Sequence, residues 1–145
     1  MYYPAMPGER TCRWTYTMEA EFGHRDITDS VAALVAESGV RTGMVVVSLV
    51  GSTGVITTIE YEKGALRDFR RALDQIAPTD AEYAHNEAYG DGNGFSHVRS
   101  SLIGPSVTLP VVDGRLLVGQ WQRVAVFNLD NRPRDREVVA VVVGQ

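Results

Sequence analysis

The chain has 145 residues, of which 44% are hydrophobic and 22% are charged, and its formal net charge at pH 7 is −4. These values are typical of a single globular domain that is large enough to bury a core without disulfides or a structural metal. The acidic balance argues against nucleic acid as the main partner, and no apolar run approaches the ~20 residues of a membrane-spanning helix.

The N-terminal part predicts an arm followed by a strand. Residues 1–10 have no basic region followed by an apolar run, so we expect a loose arm rather than a secretion signal, within a single domain over residues 1–145. From Thr11 to Ala20, polar and apolar residues alternate, which is typical of a strand with one buried face. Cys12 lies on that face and is the only cysteine. Because it cannot form an intrachain disulfide, a reducing, cytoplasmic location is expected.

The next part of the chain predicts one helix and two strands. Either Asp26 or Thr28 can cap a helix whose apolar residues recur at helical spacing until Gly39 ends the pattern. Gly43–Val50 is then almost continuous in β-branched residues, which predicts a strand covered on both faces. Another strand is expected over Thr53–Tyr61.

The second half predicts a helix and three strands. Lys63–Ile76 is amphipathic at helical spacing. The expected strands are Val107–Val112, Leu116–Leu129, which follows a tight turn at Asp113-Gly114, and Glu137–Val143. Because strands outnumber helices and hairpins outnumber crossovers, the sequence predicts an α+β domain.

A polar, glycine-rich segment, Tyr83–Ser106, has a composition that points to a site rather than to a core. It contains His85 and His97, and the turn-forming sequence Asp91–Gly94 between them folds the segment back and can bring the two histidines together. Their imidazoles could ligate a divalent metal, with Glu60 or Asp91 as an oxygen ligand. The alternative is that each histidine forms local hydrogen bonds that hold the loop.

Three further features carry groups that could bind an anion or act as a base. Glu60, at the end of its strand, is either a base or ligand, or a solvated strand end. The turn Gly51–Gly54 could hold a phosphate through its hydroxyl and amide groups, although a plain hairpin turn fits better because no P-loop lysine follows. Arg132, Arg134 and Arg136 could clamp a phosphate or carboxylate, or could lie in a solvated turn or a subunit contact.

Several short motifs follow one another along the chain in a distinctive order. They are Thr53, Glu60, Tyr83, His85, Asp91-Gly92-Asn93, His97, Gly104-Pro105-Ser106, Pro110, Gly114-Arg115-Leu116, Gly119, Trp121-Gln122, Asp130 and Pro133-Arg134-Asp135-Arg136. Their order and spacing resemble those of the YjbQ-like family, from roughly Ile27 to the C-terminus. The Asp-Gly-Asn-x-x-x-His and Gly-x-Trp-Gln motifs together are the most specific part of this resemblance.

The resemblance implies a fold, an assembly and an activity. Members of that family are small cytoplasmic proteins, usually homotrimers, with a compact α+β fold of mostly antiparallel, sandwich-like sheets and two main helices. They are commonly described as secondary thiamine-phosphate synthases, which join a pyrimidine diphosphate to a thiazole phosphate and release diphosphate. The implied partners are a small phosphorylated or anionic molecule and other copies of this chain, with no role for nucleic acid or membrane.

The resemblance also assigns roles to individual residues. The catalytic positions that it implies are Glu60, His85, Asp91 and His97, and the substrate-binding positions are Ser52, Thr53, Asn93, Trp121, Gln122 and Arg134. It further implies a divalent metal, zinc or magnesium, held by His85 and His97.

The chain departs from the family pattern at positions that fall in the implied site. Where the family usually has His-Thr-Thr after its first long strand, this chain has Gly51-Ser52-Thr53, so the first histidine is absent. The asparagine that usually precedes the glutamate is Ile59, and one residue is inserted between Asp130 and Pro133. The alternative to the implied enzyme is therefore a repurposed scaffold without metal, which binds a ligand or partner as a trimer or catalyses a different reaction in the old cleft.

Overall fold

The computed structural model describes residues 9–145. Its elements are, in chain order, β1 (Glu9–Met18), β2 (Gly23–Asp26), α1 (Thr28–Ser38), β3 (Thr42–Val50), β4 (Gly54–Glu60), α2 (Lys63–Ile76), α3 (Ala84–Tyr89), α4 (Gly94–Ile103), β5 (Ser106–Val112), β6 (Arg115–Leu116), β7 (Gln122–Asn128) and β8 (Arg134–Gly144). Most of the arm expected over residues 1–10 lies outside the described residues, and its last two residues begin β1.

The strands form two sheets in which every neighbouring pair is antiparallel. The large sheet has the order β1-β8-β3-β5-β6, and the small sheet has the order β2-β7-β4. Both sheets, together with the helices, confirm the predicted α+β fold with mostly antiparallel pairing. The ends of the sheets meet where β3 turns into β4 and where β7 leads into β8, and this corner holds the candidate site.

The main core lies between the two sheets. Side chains alternate along a strand, so Val45 and Val47 of β3 face inward from the large sheet while Ile56 and Val124 face them from the small sheet. Val35 of α1 joins the same cluster. The residues in between point to the opposite face of each sheet, which gives each sheet a second surface with its own environment.

The second face of the small sheet is covered by α2. Phe127 of β7 packs there in one apolar cluster with Leu66 and Leu73. The helix starts at this point because the carboxylate of Glu62 accepts hydrogen bonds from free backbone N–H groups of the first turn. Among residues 9–145, none of the helices is both long enough and apolar enough to cross a membrane.

Most predicted elements are present, but one predicted strand is divided. The helix Lys63–Ile76 has the predicted bounds, and Gly39 ends α1 with a left-handed φ of 75°. The strand expected over Leu116–Leu129 is wrong, because it splits into β6 and β7, which belong to different sheets. The break is a turn in which Gly119 N donates to the side chain of Gln122 (2.9 Å), and that residue's own N–H donates back to Gly119 O (3.1 Å).

The prediction that Gly43–Val50 is covered on both faces is also wrong for a single chain. Its inward residues are buried, whereas Met44 is 45% exposed and Val50 is 56% exposed on the opposite face. Val139 and Val141 of the neighbouring β8 point to the same side and remain partly accessible. We call this surface the outer valine face of the large sheet. Its composition is that of a covered surface, although the elements described leave it accessible.

Candidate functional site

Two short helices bring the two predicted histidines together. His85 lies on α3 and His97 on the first turn of α4, and their ring centroids are 4.3 Å apart with an interplanar angle of 48°. Left-handed glycines make this return possible, since Gly90 ends α3 with φ 69° and Gly92 has the same φ in the connecting turn. The predicted fold-back of the segment is therefore correct, although the sequence analysis missed α3.

The turn between the helices places two more predicted residues beside His85. The carboxylate Oδ1 of Asp91 lies 3.4 Å from His85 Nε2, and both side chains are about one-third exposed. Asn93 is only 3% exposed and its amide lies between two groups of acceptors. As oriented, its Nδ2 donates to Asp130 Oδ1 (3.3 Å); rotated by half a turn, Nδ2 donates to His85 Nε2 (3.1 Å) and Asp91 Oδ1 (3.0 Å). Asn93 therefore lies between Asp130 on one side and the His85–Asp91 pair on the other, and its orientation decides which of them receives its N–H groups.

Asp130, which follows β7, is the buried centre of the corner. Its side chain is fully buried and accepts hydrogen bonds from Thr53 Oγ1 (3.0 Å), from the backbone N–H of Asn131 (2.8 Å) and from Arg134 Nε (2.9 Å). Burial alone raises the pKa of Asp130, but the hydrogen bonds from Arg134, Thr53 and Asn93 outweigh it and hold the pKa below its ordinary value. The carboxylate is therefore ionised and fixed, and it anchors residues from three separate segments.

Arg136 forms the base of the same corner and is 6% exposed. Its Nη2 donates to Thr53 O (2.8 Å), to Thr53 Oγ1 (2.7 Å) and to Asn128 Oδ1 (2.6 Å). Burial lowers the pKa of the Arg136 guanidinium, and the nearby carboxylate of Asp130 opposes this shift. Among residues 9–145 it has no carboxylate within ion-pair distance, and its Nη1 has no hydrogen-bond partner. That nitrogen lies 3.2 Å from the place that a Cβ at position 51 would occupy.

These groups line one cleft with a volume of about 440 Å³, which we call the phosphate cleft because its arginines and the hydroxyls of the Gly51–Thr53 turn are of the kinds that bind phosphate. Its walls are the Gly51–Thr53 turn, the His85 and His97 rings and the two arginines of β8. Asp91 and Asp135 also line it, so the cleft contains both signs of charge. The volume lies within the usual range of small-molecule sites.

Three predicted site residues do not reach this cleft in a single chain. Glu60 and Trp121, which is 66% exposed, line a different groove together with Gln122. The amide of Gln122 is occupied locally, since Nε2 donates to Thr58 Oγ1 (3.2 Å). Thr53 and Glu60 flank β4, which at ~3.3 Å per residue separates them by roughly 20 Å. Glu60 is therefore too far away to act on a group held by the two histidines of its own chain.

The phosphate cleft offers an incomplete donor set for a metal. Among residues 9–145, no group of three or more histidine, cysteine or acidic side chains has the geometry to hold an ion. His85 and His97 are adjacent, but Gly51 supplies no side chain to the same space. A metal between the two histidines stays a prediction, and we derive no step through one.

The sequence analysis missed Asp130 as a functional group, because it named this residue only within a motif. It named Arg136 as one of three arginines that could clamp an anion, but it did not predict that this side chain is buried. A signal for the burial was available, because the buried residues of β8 alternate through Val138 and Ala140, and extending this pattern backwards places positions 136 and 134 on the inner face. Tyr89, whose ring centroid is 5.0 Å from that of His85, also lines the cleft and was not predicted.

Comparison with known proteins places these features in a family. Residues 13–145 match the family model described as UPF0047 protein YjbQ-like. A UPF0047 protein of Methanothermobacter thermautotrophicus is 38% identical over 120 residues, which are 83% of this chain and 82% of that protein. YugU of Bacillus subtilis, also a UPF0047 protein, is 30% identical over 120 residues, or 82% of this chain and 88% of that one. A crystal structure of an uncharacterized family protein from Clostridium acetobutylicum is 32% identical, with a TM-score of 0.82 over 91% of this chain and 99% of that chain.

Proposed function

The chain belongs to the YjbQ-like UPF0047 family, and from this premise we propose that it is a transferase that acts on a phosphorylated small molecule bound in the phosphate cleft. The finer proposal follows the resemblance: condensation of a pyrimidine diphosphate with a thiazole phosphate, as in thiamine-phosphate synthases. The names of the relatives state no activity, so the argument rests on the groups in the cleft. We propose that the reaction takes place in the cytoplasm.

The observation that carries the proposal is the unpaired charge of Arg136. A buried guanidinium that forms no ion pair is costly, because the nearby carboxylate of Asp130 offsets its desolvation only in part. Its Nη2 is held by Thr53 and Asn128, which fixes the plane of the group, while its Nη1 at the cleft surface has no protein acceptor among the described residues. An anionic oxygen placed there would supply the missing partner. Guanidinium groups are well suited to phosphate because their N–H donors match its oxygen spacing.

The neighbouring groups suit the departure of a diphosphate. When the bond from carbon to the diphosphate oxygen breaks, the electron pair and the negative charge leave with the phosphate oxygens, so fixed positive charge and N–H donors lower the barrier. Arg136 would bind one phosphate, and Ser52, which is exposed at the cleft rim, offers a hydroxyl. His85 and His97 can donate hydrogen bonds to the leaving oxygens. Arg134 contributes charge at the rim, although Asp130 already occupies its Nε and Nη2.

Thr53 and Asn93 have positioning roles in this proposal. Both were predicted to bind substrate, but both are buried, and their hydrogen-bonding groups are used by Asp130, Arg136 or the turn before α4. They hold the charged groups in place, and both also line the cleft, so a contact with the ligand stays a prediction. Asp91, whose Oδ1 lies 3.4 Å from His85 Nε2, can orient the imidazole towards the leaving group.

The proposed assembly is a homotrimer, in which another copy of the chain covers the outer valine face of the large sheet. This assembly is supported by the composition of the central strands β3 and β8, which carry valine on both faces of the large sheet. The outer of these two faces remains accessible in the single chain, although its residues are apolar. Assembly could also bring the Glu60–Trp121 groove of one copy towards the cleft of another. Light scattering at micromolar concentration should give three times the chain mass of 15.9 kDa, and a monomer would contradict this assembly.

A second candidate function is a binding protein or altered enzyme built on the same cleft. Gly51 favours it, because the family usually has histidine at this position and the glycine leaves no imidazole there. On this view the cleft retains its affinity for phosphate but has lost or changed its chemistry. The two candidates predict the same ligand class and differ in turnover.

The test is complementation of a thiamine-auxotrophic bacterium that lacks thiamine-phosphate synthase, combined with calorimetric titration of the purified protein with inorganic diphosphate. The native chain should restore growth and bind diphosphate, and His85→Ala and His97→Ala should each reduce growth and turnover by about 10²-fold or more, as expected on losing a positioned proton donor. Glu87→Ala is the matched control, since Glu87 is exposed on α3 beside the cleft without lining it.

The outcomes separate the candidates. Growth restored by the native chain and lost in both histidine variants supports the transferase. Diphosphate binding by a folded protein that does not restore growth favours the repurposed scaffold. Absence of both binding and growth would reject the phosphate cleft itself.

A further inference from the structure

A second groove lies between β2 and α2 and shares no lining residue with the phosphate cleft. Its volume is about 420 Å³ and it is lined by Phe22, His24, Lys63, Leu66, Arg67 and Arg70. Three of these side chains are cationic, two are aromatic, and none is acidic. We call it the basic aromatic groove. Nothing in the proposed transferase reaction uses it, and the inference below does not rest on that reaction.

One wall of the groove is aromatic and is held in place by a strained backbone. Phe22 packs against Phe127 (ring centroids 5.1 Å apart) and Phe69 (5.7 Å), yet the residue is only half-buried. Glu21 and Phe22 have φ values of 50° and 85°, which non-glycine residues rarely adopt. Hydrogen bonds from Phe22 N to Asn128 O (2.8 Å) and from Glu21 N to Asp130 O hold this turn. The strain keeps an accessible aromatic ring at the groove.

His24 is fixed beside that ring and offers a free nitrogen. Its Nδ1 is 2.6 Å from the hydroxyl of Tyr61, and its ring lies edge-on to Phe22 with centroids 5.8 Å apart. Burial lowers the pKa of His24, which favours the neutral ring. Its Nε2 has no partner among residues 9–145. An exposed histidine oriented by a second side chain is therefore available to a ligand.

The opposite wall is a row of unpaired cations. Lys63, Arg67 and Arg70 follow one another at intervals of four and three residues, so they lie on one side of α2. In the described part of the chain none of them has a carboxylate within ion-pair distance, whereas the adjacent Arg71 pairs with Asp68 at 2.8 Å. The carboxylate of Glu62, which feels the charge of Arg67, is used to cap the helix. Arg70 Cζ lies 6.0 Å from the centroid of the Phe22 ring, so this arginine adjoins the aromatic wall. The wall therefore carries three cations that form no ion pair within the described residues.

We propose that the basic aromatic groove binds a small aromatic anion, whose ring stacks on Phe22 beside His24 and whose phosphate or carboxylate pairs with Arg67 and Arg70. A purely structural aromatic cluster would account for the packing of Phe22 on Phe127. It would not account for strain that holds the ring at the surface, or for three cations without acids on the facing helix. Ring stacking and charge-assisted hydrogen bonds supply both halves of the recognition.

The chain contains three histidines, so imidazole resonances in NMR spectra can report separately on the two sites. The probes are adenosine monophosphate and phenyl phosphate as aromatic anions, with adenosine and inorganic phosphate as the separated halves. We expect both aromatic anions to bind with a dissociation constant below about 1 mM and to shift the His24 resonances. Adenosine or inorganic phosphate alone should bind at least about 10-fold more weakly, because each lacks one half of the contacts.

The matched variants are Arg70→Ala and Arg71→Ala, which remove neighbouring exposed arginines of which only the first lines the groove. Arg70→Ala should weaken binding of adenosine monophosphate by about 10-fold, and Arg71→Ala should leave it unchanged. Three results would each overturn the proposal: neither aromatic anion shifts His24, inorganic phosphate binds as tightly as phenyl phosphate, or both variants have the same effect. Shifts confined to His85 and His97 would place the ligand in the phosphate cleft instead.

Discussion

Asp130→Asn is expected to lower the free energy of unfolding by about 3–5 kcal/mol, the largest effect on stability that the structure suggests. The carboxylate is fully buried and holds Arg134, Thr53 and the backbone of Asn131. An amide of the same shape places an NH₂ group against these donors and leaves the guanidinium of Arg134 without its charge partner. Urea unfolding followed by circular dichroism measures the difference.

The control is Asp135→Asn, which changes an acid of the same cleft five residues further along the chain. Asp135 is exposed and accepts one hydrogen bond from Thr17 Oγ1 (2.6 Å), so its replacement should cost less than about 1 kcal/mol. Equal losses in the two variants would show that Asp130 is not the anchor of this corner.

The pH dependence gives a second measure of the same carboxylate. The pKa of Asp130 is lower in the folded protein than in the unfolded chain. Ionisation of Asp130 therefore stabilises the fold fully at a pH above its pKa in the unfolded chain, which is about 4. This stabilisation is lost as the pH falls through the lower pKa of the folded protein. The stability of the native protein should therefore fall below pH ~4. Asp130→Asn should show a smaller fall over that range, with Asp26, whose pKa is also lowered, still contributing.

The fold could be predicted where local periodicity and packing agree. The amphipathic pattern of Lys63–Ile76 matches α2 because the same residues that fit the helical period also bury against the small sheet. The strand predicted over Leu116–Leu129 failed because an apolar pattern carries no information about which sheet each part joins. The turn at Gly119 depends on a hydrogen bond that its backbone N–H donates to the side-chain oxygen of Gln122, a residue that also fits a strand pattern.

The valine-rich run Gly43–Val50 shows a different limit. Its composition predicts a strand that is covered on both faces, but the single chain covers only one of them. A sequence pattern can also reflect contacts with other chains, whereas burial within one chain counts only its own elements. The mismatch is the observation that supports the proposed assembly.

The candidate site was predictable in part for a similar reason. The approach of His85 to His97 could be predicted from local chain geometry alone, because the turn Asp91–Gly94 folds the segment back. The contacts of Arg136 with Thr53 and Asn128 join segments up to 83 residues apart, and such long-range pairing has no local signature. Glu60 was grouped with the histidines by family resemblance, but a strand of seven residues separates it from them within one chain.

Arg136→Lys is the most direct test of the phosphate cleft, and we expect it to weaken diphosphate binding by about 10- to 100-fold. Lysine keeps the charge but has a single ammonium group, which cannot satisfy both Thr53 and Asn128 and still present a donor to the ligand. Calorimetric titration measures the affinity, and circular dichroism checks that the variant is folded. Arg132→Lys, at an exposed position four residues earlier, is the control that should leave affinity unchanged.

A second variant keeps the test valid if Arg136→Lys does not fold. In Gly51→Ala, the added methyl group would lie 3.2 Å from both Arg136 Nη1 and Leu49 Cδ2, so it would crowd and cover that nitrogen. The backbone φ of 158° at this position is one that residues with a Cβ rarely adopt, so the unfolding midpoint has to be measured together with the affinity. Loss of diphosphate affinity in Gly51→Ala with an unchanged unfolding midpoint would identify Nη1 as the ligand's donor. Full affinity in both folded variants would mean that diphosphate is bound elsewhere. A ligand that depends on Arg136 Nη1 would lose affinity when Gly51→Ala covers this nitrogen and when Arg136→Lys removes the guanidinium.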